Sequence, residues 1–206
     1  MSRLEPLTLT GHHVRLSPLG LEHAPALLAA AESRATYALT LVPADLASME
    51  AYVASALAEQ ERGESMPFVV KDEQDVVVGS TRYMSIEWWP PLQSEPPGPP
   101  RGGPDALEIG FTWYAERVQR TALNTEAKLL LCEQAFERWS VRRVTWKTDA
   151  RNTRSRAAIL RLGARLDGVL RAHRPAVDGR VRDTAFYSML ADEWPEAKRG
   201  LLKRLG

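Results

Sequence analysis

A single cysteine, Cys132, stands in the chain. No disulfide can close within it, which fits a reducing compartment. Apolar runs are short, and none approaches the roughly 20 residues of a membrane-spanning helix. The opening residues MSRLEPLTLTGHHVRL lack the apolar core of a signal peptide. Charge of one sign is missing too. Lys and Arg number 27 and Asp and Glu 26, a formal net charge of +1, so the balance nominates neither nucleic acid nor membrane as a partner. His12 and His13 are adjacent, and His23 and His173 are isolated. None has zinc-ligand spacing, and no metal is expected. Neither SRATY nor GSTRY supplies the G-x-S-x-G elbow of a serine hydrolase. What remains is the expectation of a cytoplasmic globular protein. With 44% apolar residues over 206 positions, one good core can be buried. A single domain over residues 1–206 is expected.

The chain does show changes of hydrophobic period. Residues 7–16, LTLTGHHVRL, predict a first strand bent at Gly11. From Leu21, LEHAPALLAAAESRATYAL is alanine-rich and predicts a helix. Next, Asp45 predicts a helix cap, with Met49, Val53, Ala56 and Leu57 on one face. MPFVVKDEQDVVVGSTRYMSIEWW then predicts an antiparallel hairpin around the polar turn Asp72–Asp75. Residues 90–105 hold seven prolines and three glycines, which excludes a helix or central strand. That segment reads either as a surface loop or as a lid or wall near a site.

The second half alternates more regularly. Ala106 to Tyr114 predicts a strand. A helix is expected from about Asn124 to Trp139, with Leu129, Cys132, Phe136 and Trp139 on its apolar face. RRVTWKTDA predicts a strand, and NTRSRAAILRLG a helix capped by Asn152 and ended by Gly163. Two further strands join at Asp178-Gly179, and a terminal helix carries Pro195 in its first turn. Strands with helices between only some of them indicate a mixed α/β sheet.

The loop from Gln119 to Asn124 contains no glycine. It leads into a helix, whose start presents unpaired N–H groups and a partial positive charge. Gln119 to Thr125 could therefore aim several amides at one anion, with charge from Arg117 and Arg120. Glycine is needed only where φ is positive or a ligand comes very close. Ala122 adds one methyl, so its amide still donates if φ there is negative. On the residues alone the segment also reads as a plain connector.

Leu107 to Trp194 carries EIGFTWY, VQRTALNTEAKLLLCEQAFERW, RRVTWKTDARNTRSRAAILRLG and DGRVRDTAFYSMLADEW. This run resembles the GCN5-related N-acetyltransferases (GNAT), in the ribosomal-protein N-terminal acetyltransferase-like (RimJ/RimL-type) branch. The residues before it match only by element order. The resemblance implies an α/β fold with a mixed, mostly antiparallel central sheet flanked by helices. A splayed strand pair would hold acetyl-CoA as co-substrate. The family's Q/R-x-x-G-x-G/A loop, whose amides bind the pyrophosphate, falls on Gln119, Arg120, Thr121, Ala122, Leu123 and Asn124, with Thr125 next. Gln119 matches, Ala122 replaces Gly, and Asn124 replaces the final Gly/Ala. These departures bear on affinity and loop geometry rather than on the ligand's identity. Asn124 can also cap the helix. Main-chain groups near Phe111, Thr112 and Trp113 would pair with the pantetheine and supply the oxyanion donor.

Acetyl transfer to an amine sets three tasks: removing a proton from the ammonium, stabilising the thioester oxygen, and protonating the leaving thiolate. Glu108 is the candidate base, with Gly110 and Thr112 alternating along the same face; a solvated carboxylate or salt-bridge partner is the other reading. The resemblance places Asn152 on the pantetheine and Ser155 near the sulfur, as acid or thiolate donor. Both residues can equally cap the helix. The slot from which many relatives supply a tyrosine acid holds Ile159, and the usual Gly-Phe ending is Gly163-Ala164. Cys132 reads as core rather than nucleophile. The segment from Arg142 to Arg165 is basic, and Arg154 or Arg156 is the candidate for the CoA 3′-phosphate. No aromatic-and-basic stripe for RNA accompanies it. Glu87, Glu95, Asp105 and Glu108 hint at a cationic acceptor. The expected partners are acetyl-CoA and an amine, from a protein N-terminus or a small molecule, with no nucleic acid and no membrane. A homodimer is compatible with these residues, which do not decide oligomeric state. The competing reading is a non-catalytic CoA-binding or interaction module whose altered loop marks lost activity.

Overall fold

The period-two segments come together as one eight-stranded sheet in the computed structural model, which describes residues 4–90 and 102–206. The strands are β1 (Leu9–Thr10), β2 (Arg15–Pro18), β3 (Ser65–Lys71), β4 (Val77–Glu87), β5 (Ala106–Tyr114), β6 (Arg143–Asp149), β7 (Arg165–Pro175) and β8 (Val181–Leu190). Their order is β1-β2-β3-β4-β5-β6-β8-β7. Only β5 and β6 run parallel; every other neighbouring pair is antiparallel. The mixed, mostly antiparallel sheet expected from the sequence is therefore present.

Helices cover both faces. Helices α1 (Ala24–Ala30) and α2 (Leu46–Glu61) bury Leu27, Met49, Val53 and Ala56 against Val69 and Trp113. On the other face, α3 (Ala122–Glu133) and α5 (Trp194–Leu205) bury Leu131, Cys132, Trp194 and Leu201 with Phe68, Tyr83, Leu107 and Ile109. Helix α4 (Thr153–Arg161) follows β6. Cys132 is fully buried, and burial pushes its thiol up to about 12, as a core residue requires. Among the described residues no helix is long and apolar enough to cross a membrane.

Several boundaries differ from the sequence reading, each for a physical reason. The alanine-rich stretch from Leu21 makes only a 3₁₀ turn and α1, ending at Ala30. Beyond it, tertiary bonds hold the chain in loops: the Arg34 guanidinium donates to the carbonyls of Val42 and Pro43, and the Tyr37 hydroxyl to that of Tyr114. The first strand divides into β1 and β2, with Gly11 at the bend. Asp45 does cap α2, accepting from the Ser48 amide at 2.9 Å. Of residues 90–105, the middle lies outside the described residues, but the ends meet: Trp89 N donates to Asp105 Oδ2 at 2.8 Å.

Glu126 ties the N-terminal bend to α3. Its buried carboxylate accepts from the amides of His12, at 2.8 Å, and His13. A Cβ on residue 11 would lie 2.4 Å from the Glu126 carboxyl carbon, so any larger residue there must displace this carboxylate. Removing the carboxylate strands two amides. Glu126→Ala is expected to lower stability by about 1.5–3 kcal/mol, the scale for hydrogen bonds to a charged group. An unchanged midpoint in urea or thermal unfolding would show that the bend holds without it.

Candidate active site

The site is built where two neighbouring strands part. β5 and β6 pair through Ala106–Arg143, Leu107–Val144 and Glu108–Thr145 only. β5 continues to Tyr114 and β6 to Asp149, each still paired on its other side, to β4 and β8. Beyond Glu108, the facing edges of β5 and β6 no longer share a ladder, and a cleft opens. The described ends of the proline-rich segment lie at the paired end of β5, away from the loop that follows Tyr114.

A bulge shapes the β5 side of this cleft. Ser80 pairs with Trp113 and Arg82 with Gly110, so Phe111 and Thr112 of β5 stand opposite the single residue Thr81 of β4. Phe111 takes a left-handed φ of 47°. An inserted residue exchanges the faces of all that follow. Ile109 packs on the α3 side, Trp113 on the α1–α2 side, and Tyr114 on the α3 side again. This corrects the expected alignment of Glu108, Gly110 and Thr112. The Thr112 hydroxyl faces α3, where it accepts from Lys128 Nζ at 2.7 Å and bonds Thr81 Oγ1 at 2.7 Å.

The loop after β5 is shorter than the sequence suggested. A 3₁₀ turn spans Glu116–Val118, and α3 begins at Ala122, two residues before the expected start. The cap is Thr121, whose hydroxyl accepts from Leu123 N at 3.3 Å. Asn124 is thus inside the first turn and is not the cap. Ala122 is helical, so its φ is negative and its missing glycine costs no strain. The positive φ of this loop, 63°, falls on Arg120. A non-glycine residue there costs about 1–2 kcal/mol. Among the described residues, no acceptor takes the amides of Arg120, Thr121, Ala122 or Asn124. Main-chain donors at a helix start are what a phosphate oxygen needs.

The β6 side supplies the first turn of α4. Asn152 caps it, accepting from Ser155 N at 3.0 Å. Arg154 reaches across the cleft and donates to Gln119 Oε1 at 3.1 Å and to the Thr36 carbonyl at 3.2 Å. Gln119 in turn donates to Thr36 Oγ1 and to the Tyr114 carbonyl. The first turns of α3 and α4 therefore border one cleft, which brings Gln119, Asn152, Arg154 and Ser155 together. Arg156 is committed elsewhere, to the Tyr187 hydroxyl and the Ala150 carbonyl.

Glu108 sits at the apex, in the last β5–β6 pair, and is 5% exposed. Lys147 Nζ lies 2.7 Å from its Oε2. The carboxylate also lies over Gly110: a Cβ there would be 3.2 Å from Glu108 Oε1 and 2.7 Å from Met84 sulfur. A cavity of about 340 Å³ opens alongside, lined by Glu59, Arg62, Glu64, Met84, Ser85 and Ile86. Its carboxylates are neutralised, Glu59 by Arg82 and Glu64 by Arg62. Glu87 and Asp105 are likewise paired, with Arg143 and Arg142. The acidic residues that hinted at a cationic acceptor are thus spent on internal pairs; Glu95 lies outside the described residues.

Two site residues escaped the sequence reading. Lys147 was visible only as one charge in a basic segment, and its partner Glu108 is remote in sequence. Lys128 lies on the buried side of α3, where sequence periodicity anticipates an apolar residue.

Comparison with known proteins agrees with this geometry. Residues 13–165 match the acetyltransferase (GNAT) domain family. A GCN5-related N-acetyltransferase from Brucella melitensis is 27% identical with a TM-score of 0.83, covering 100% of this chain and 88% of its own. A putative acetyltransferase from T. thermophilus is 31% identical with a TM-score of 0.79, covering 100% of both chains. Mycobacterium smegmatis RimJ, in complex with CoA-disulfide, shares the fold at 21% identity and a TM-score of 0.76, covering 97% of this chain and 95% of its own. No curated protein matches the chain.

Lys128 gives this region a measurable signature. Burial pushes its ammonium down to about 7, from an ordinary value of 10.5. The unfolded chain keeps that proton until the higher pH, so between these values the unfolded state binds more protons. Stability from this group therefore rises with pH from about 7 to 10.5, and is flat below that window. Urea midpoints of the wild type should climb across the window relative to Lys128→Met. Parallel curves for the two proteins would mean that the amine keeps its proton when folded.

Proposed function

The chain belongs to the acetyltransferase (GNAT) family, and on that premise we propose that it is an N-acetyltransferase that moves an acetyl group from acetyl-CoA to a primary amine. The observation that carries this reading is the cleft between β5 and β6, ending in unpartnered amides at the start of α3. The amides of Arg120 to Asn124 would grip the pyrophosphate, with Thr125 in the same turn. Arg154 would meet a coenzyme phosphate by giving up its bonds to Gln119 and Thr36. Main-chain groups of Phe111, Thr112 and Trp113 would hold the pantetheine, with the Asn152 side chain across from them. We place the chain, as one domain over residues 1–206, in the RimJ/RimL-type branch and in the cytoplasm. The acceptor is a protein N-terminus or a small-molecule amine.

The reaction runs by direct attack in a ternary complex. Glu108 takes a proton from the ammonium, directly or through water. The freed lone pair attacks the thioester carbonyl, and a β5 amide beside the bulge stabilises the oxyanion. The C–S bond then breaks, and the surplus proton on the tetrahedral nitrogen passes by way of the Ser155 hydroxyl to the departing thiolate, which leaves the amide and the free thiol. The Lys147 ion pair imposes a condition: the acceptor ammonium must compete with Lys147 for the carboxylate. That ion pair also favours a second reading, a non-catalytic CoA-binding module, since the carboxylate is already engaged by Lys147.

The two readings separate on one assay: acetyl-CoA with a panel of amines, followed by free thiol. The transferase reading expects amine-dependent thiol release. CoA binding in calorimetry without such release from any amine would establish the module instead. In the active enzyme, Glu108→Gln should lower kcat roughly 100-fold, the lower end for general-base catalysis, with acetyl-CoA affinity nearly intact. Equal loss of both would remove the base assignment. Ser155→Ala should slow transfer more than binding, and unchanged turnover would take Ser155 out of the mechanism.

A further inference from the structure

Outside the cleft, the β1–β2 bend brings two ring nitrogens together. Neighbouring residues in a strand point to opposite faces, but residues 12 and 13 lie in a bend closed by Gly11 N donating to the Val14 carbonyl at 2.9 Å. The rings of His12 and His13 meet edge to face, 4.6 Å between centroids, and their Nδ1 atoms are 3.4 Å apart. A carboxylate joins them from the β3–β4 turn. An oxygen of Glu73 and one nitrogen of each imidazole all lie within 4.8 Å of one another.

We propose that His12, His13 and Glu73 form a binding site for a divalent transition-metal ion of the zinc class. Two nitrogens bound at about 2.0–2.1 Å in tetrahedral geometry stand about 3.4 Å apart, and the two Nδ1 atoms are 3.4 Å apart. A set of two imidazoles and one carboxylate suits zinc or its neighbours, whereas magnesium and calcium take oxygen ligands. His12 and Glu73 are exposed and His13 is half-buried, so an ion enters from solvent and keeps a fourth position for water.

Both limbs of the site are held in place by bonds that do not involve an ion. The His12 and His13 amides rest on the Glu126 carboxylate of α3. The Glu73 turn is fixed by Asp72, whose Oδ1 accepts from Gln74 N at 3.1 Å and Val76 N at 3.0 Å. Asp72 Oδ2 pairs with Arg117 at 2.7 Å, just ahead of the loop that enters α3. Glu73 Oε1 accepts from the Gln74 side chain, which leaves its other oxygen for the ion. The ion braces two turns against the back of α3 and takes no part in acetyl transfer. The sequence argued against a metal because adjacent histidines fit no helical or finger spacing; the bend removes that objection.

The test uses the full, tag-free chain, titrated with Zn²⁺ by calorimetry and with Co²⁺ by visible absorption. One ion per chain should bind, with a tetrahedral Co²⁺ spectrum. Zn²⁺ at 100 times its Kd should raise Tm by about 5–10 °C for a chain of this length. Glu73→Gln should weaken binding roughly tenfold or more, and the double variant His12→Ala/His13→Ala should abolish it. Circular dichroism of the unliganded variants checks that the bend survives, and Glu73→Gln keeps the test decisive if the double variant unfolds. No saturable binding below millimolar Zn²⁺, or affinity unchanged in either variant, overturns the proposal.

Discussion

The loss of main-chain pairing between β5 and β6 after Glu108 and Thr145 is the constraint on which the rest of the site depends. Backbone donors and acceptors are obligatory hydrogen-bonding groups, so a sheet does not open without something to occupy its edges. Here each strand keeps its outer neighbour, β4 or β8, while the inner edges diverge. The result is a slot edged by peptide groups, with Glu108 in the last pair at its apex. An extended ligand with its own amides suits such a slot, as an added strand would.

Two devices keep that slot in shape. The bulge at Phe111 turns the second half of β5 over, so Trp113 packs on α1–α2 while Thr112 and Tyr114 face α3. Lys128 bonds Thr81 and Thr112 together directly behind it. A charge there would be poorly solvated, which is why burial drives its ammonium toward the neutral form. At the far end, Arg120 takes the left-handed conformation that glycine would adopt with less strain. Placing the strain one residue before the cap lets Thr121 and Ala122 enter α3 with ordinary geometry. The loop keeps its amides free without any glycine.

The ion pairs explain how a chain of nearly balanced charge arranges its site. Lys147 answers Glu108, Arg82 answers Glu59, and Arg117 answers Asp72. Arg154 and Gln119 bridge the cleft by neutral and charged hydrogen bonds. In the basic segment, Arg142, Arg143, Lys147, Arg154, Arg156 and Arg165 each meet a partner from another part of the chain.

Much of this was legible in the residues. Asp45 announced α2, the turn Asp72–Asp75 announced the β3–β4 hairpin, and the apolar spacing of Leu129 and Cys132 announced α3, which gives way after Glu133 to a π-helical turn, Gln134–Arg138, rather than running on to Trp139 as expected. Such features depend on neighbours within a few positions, and local sequence contains them. The start of α3 was misplaced because Thr121 and Asn124 are both good caps, and only the preceding 3₁₀ turn selects Thr121. What the sequence by itself determined is the alternation of strands and helices, the buried face of each, and a glycine-free helix start able to present amides. Only the tertiary structure decided where β5 leaves β6, which way Thr112 faces, that Lys147 holds Glu108, and that two adjacent histidines converge. Each of those depends on contacts between residues far apart in the chain, or on a one-residue bulge or bend, to which hydrophobic periodicity is blind.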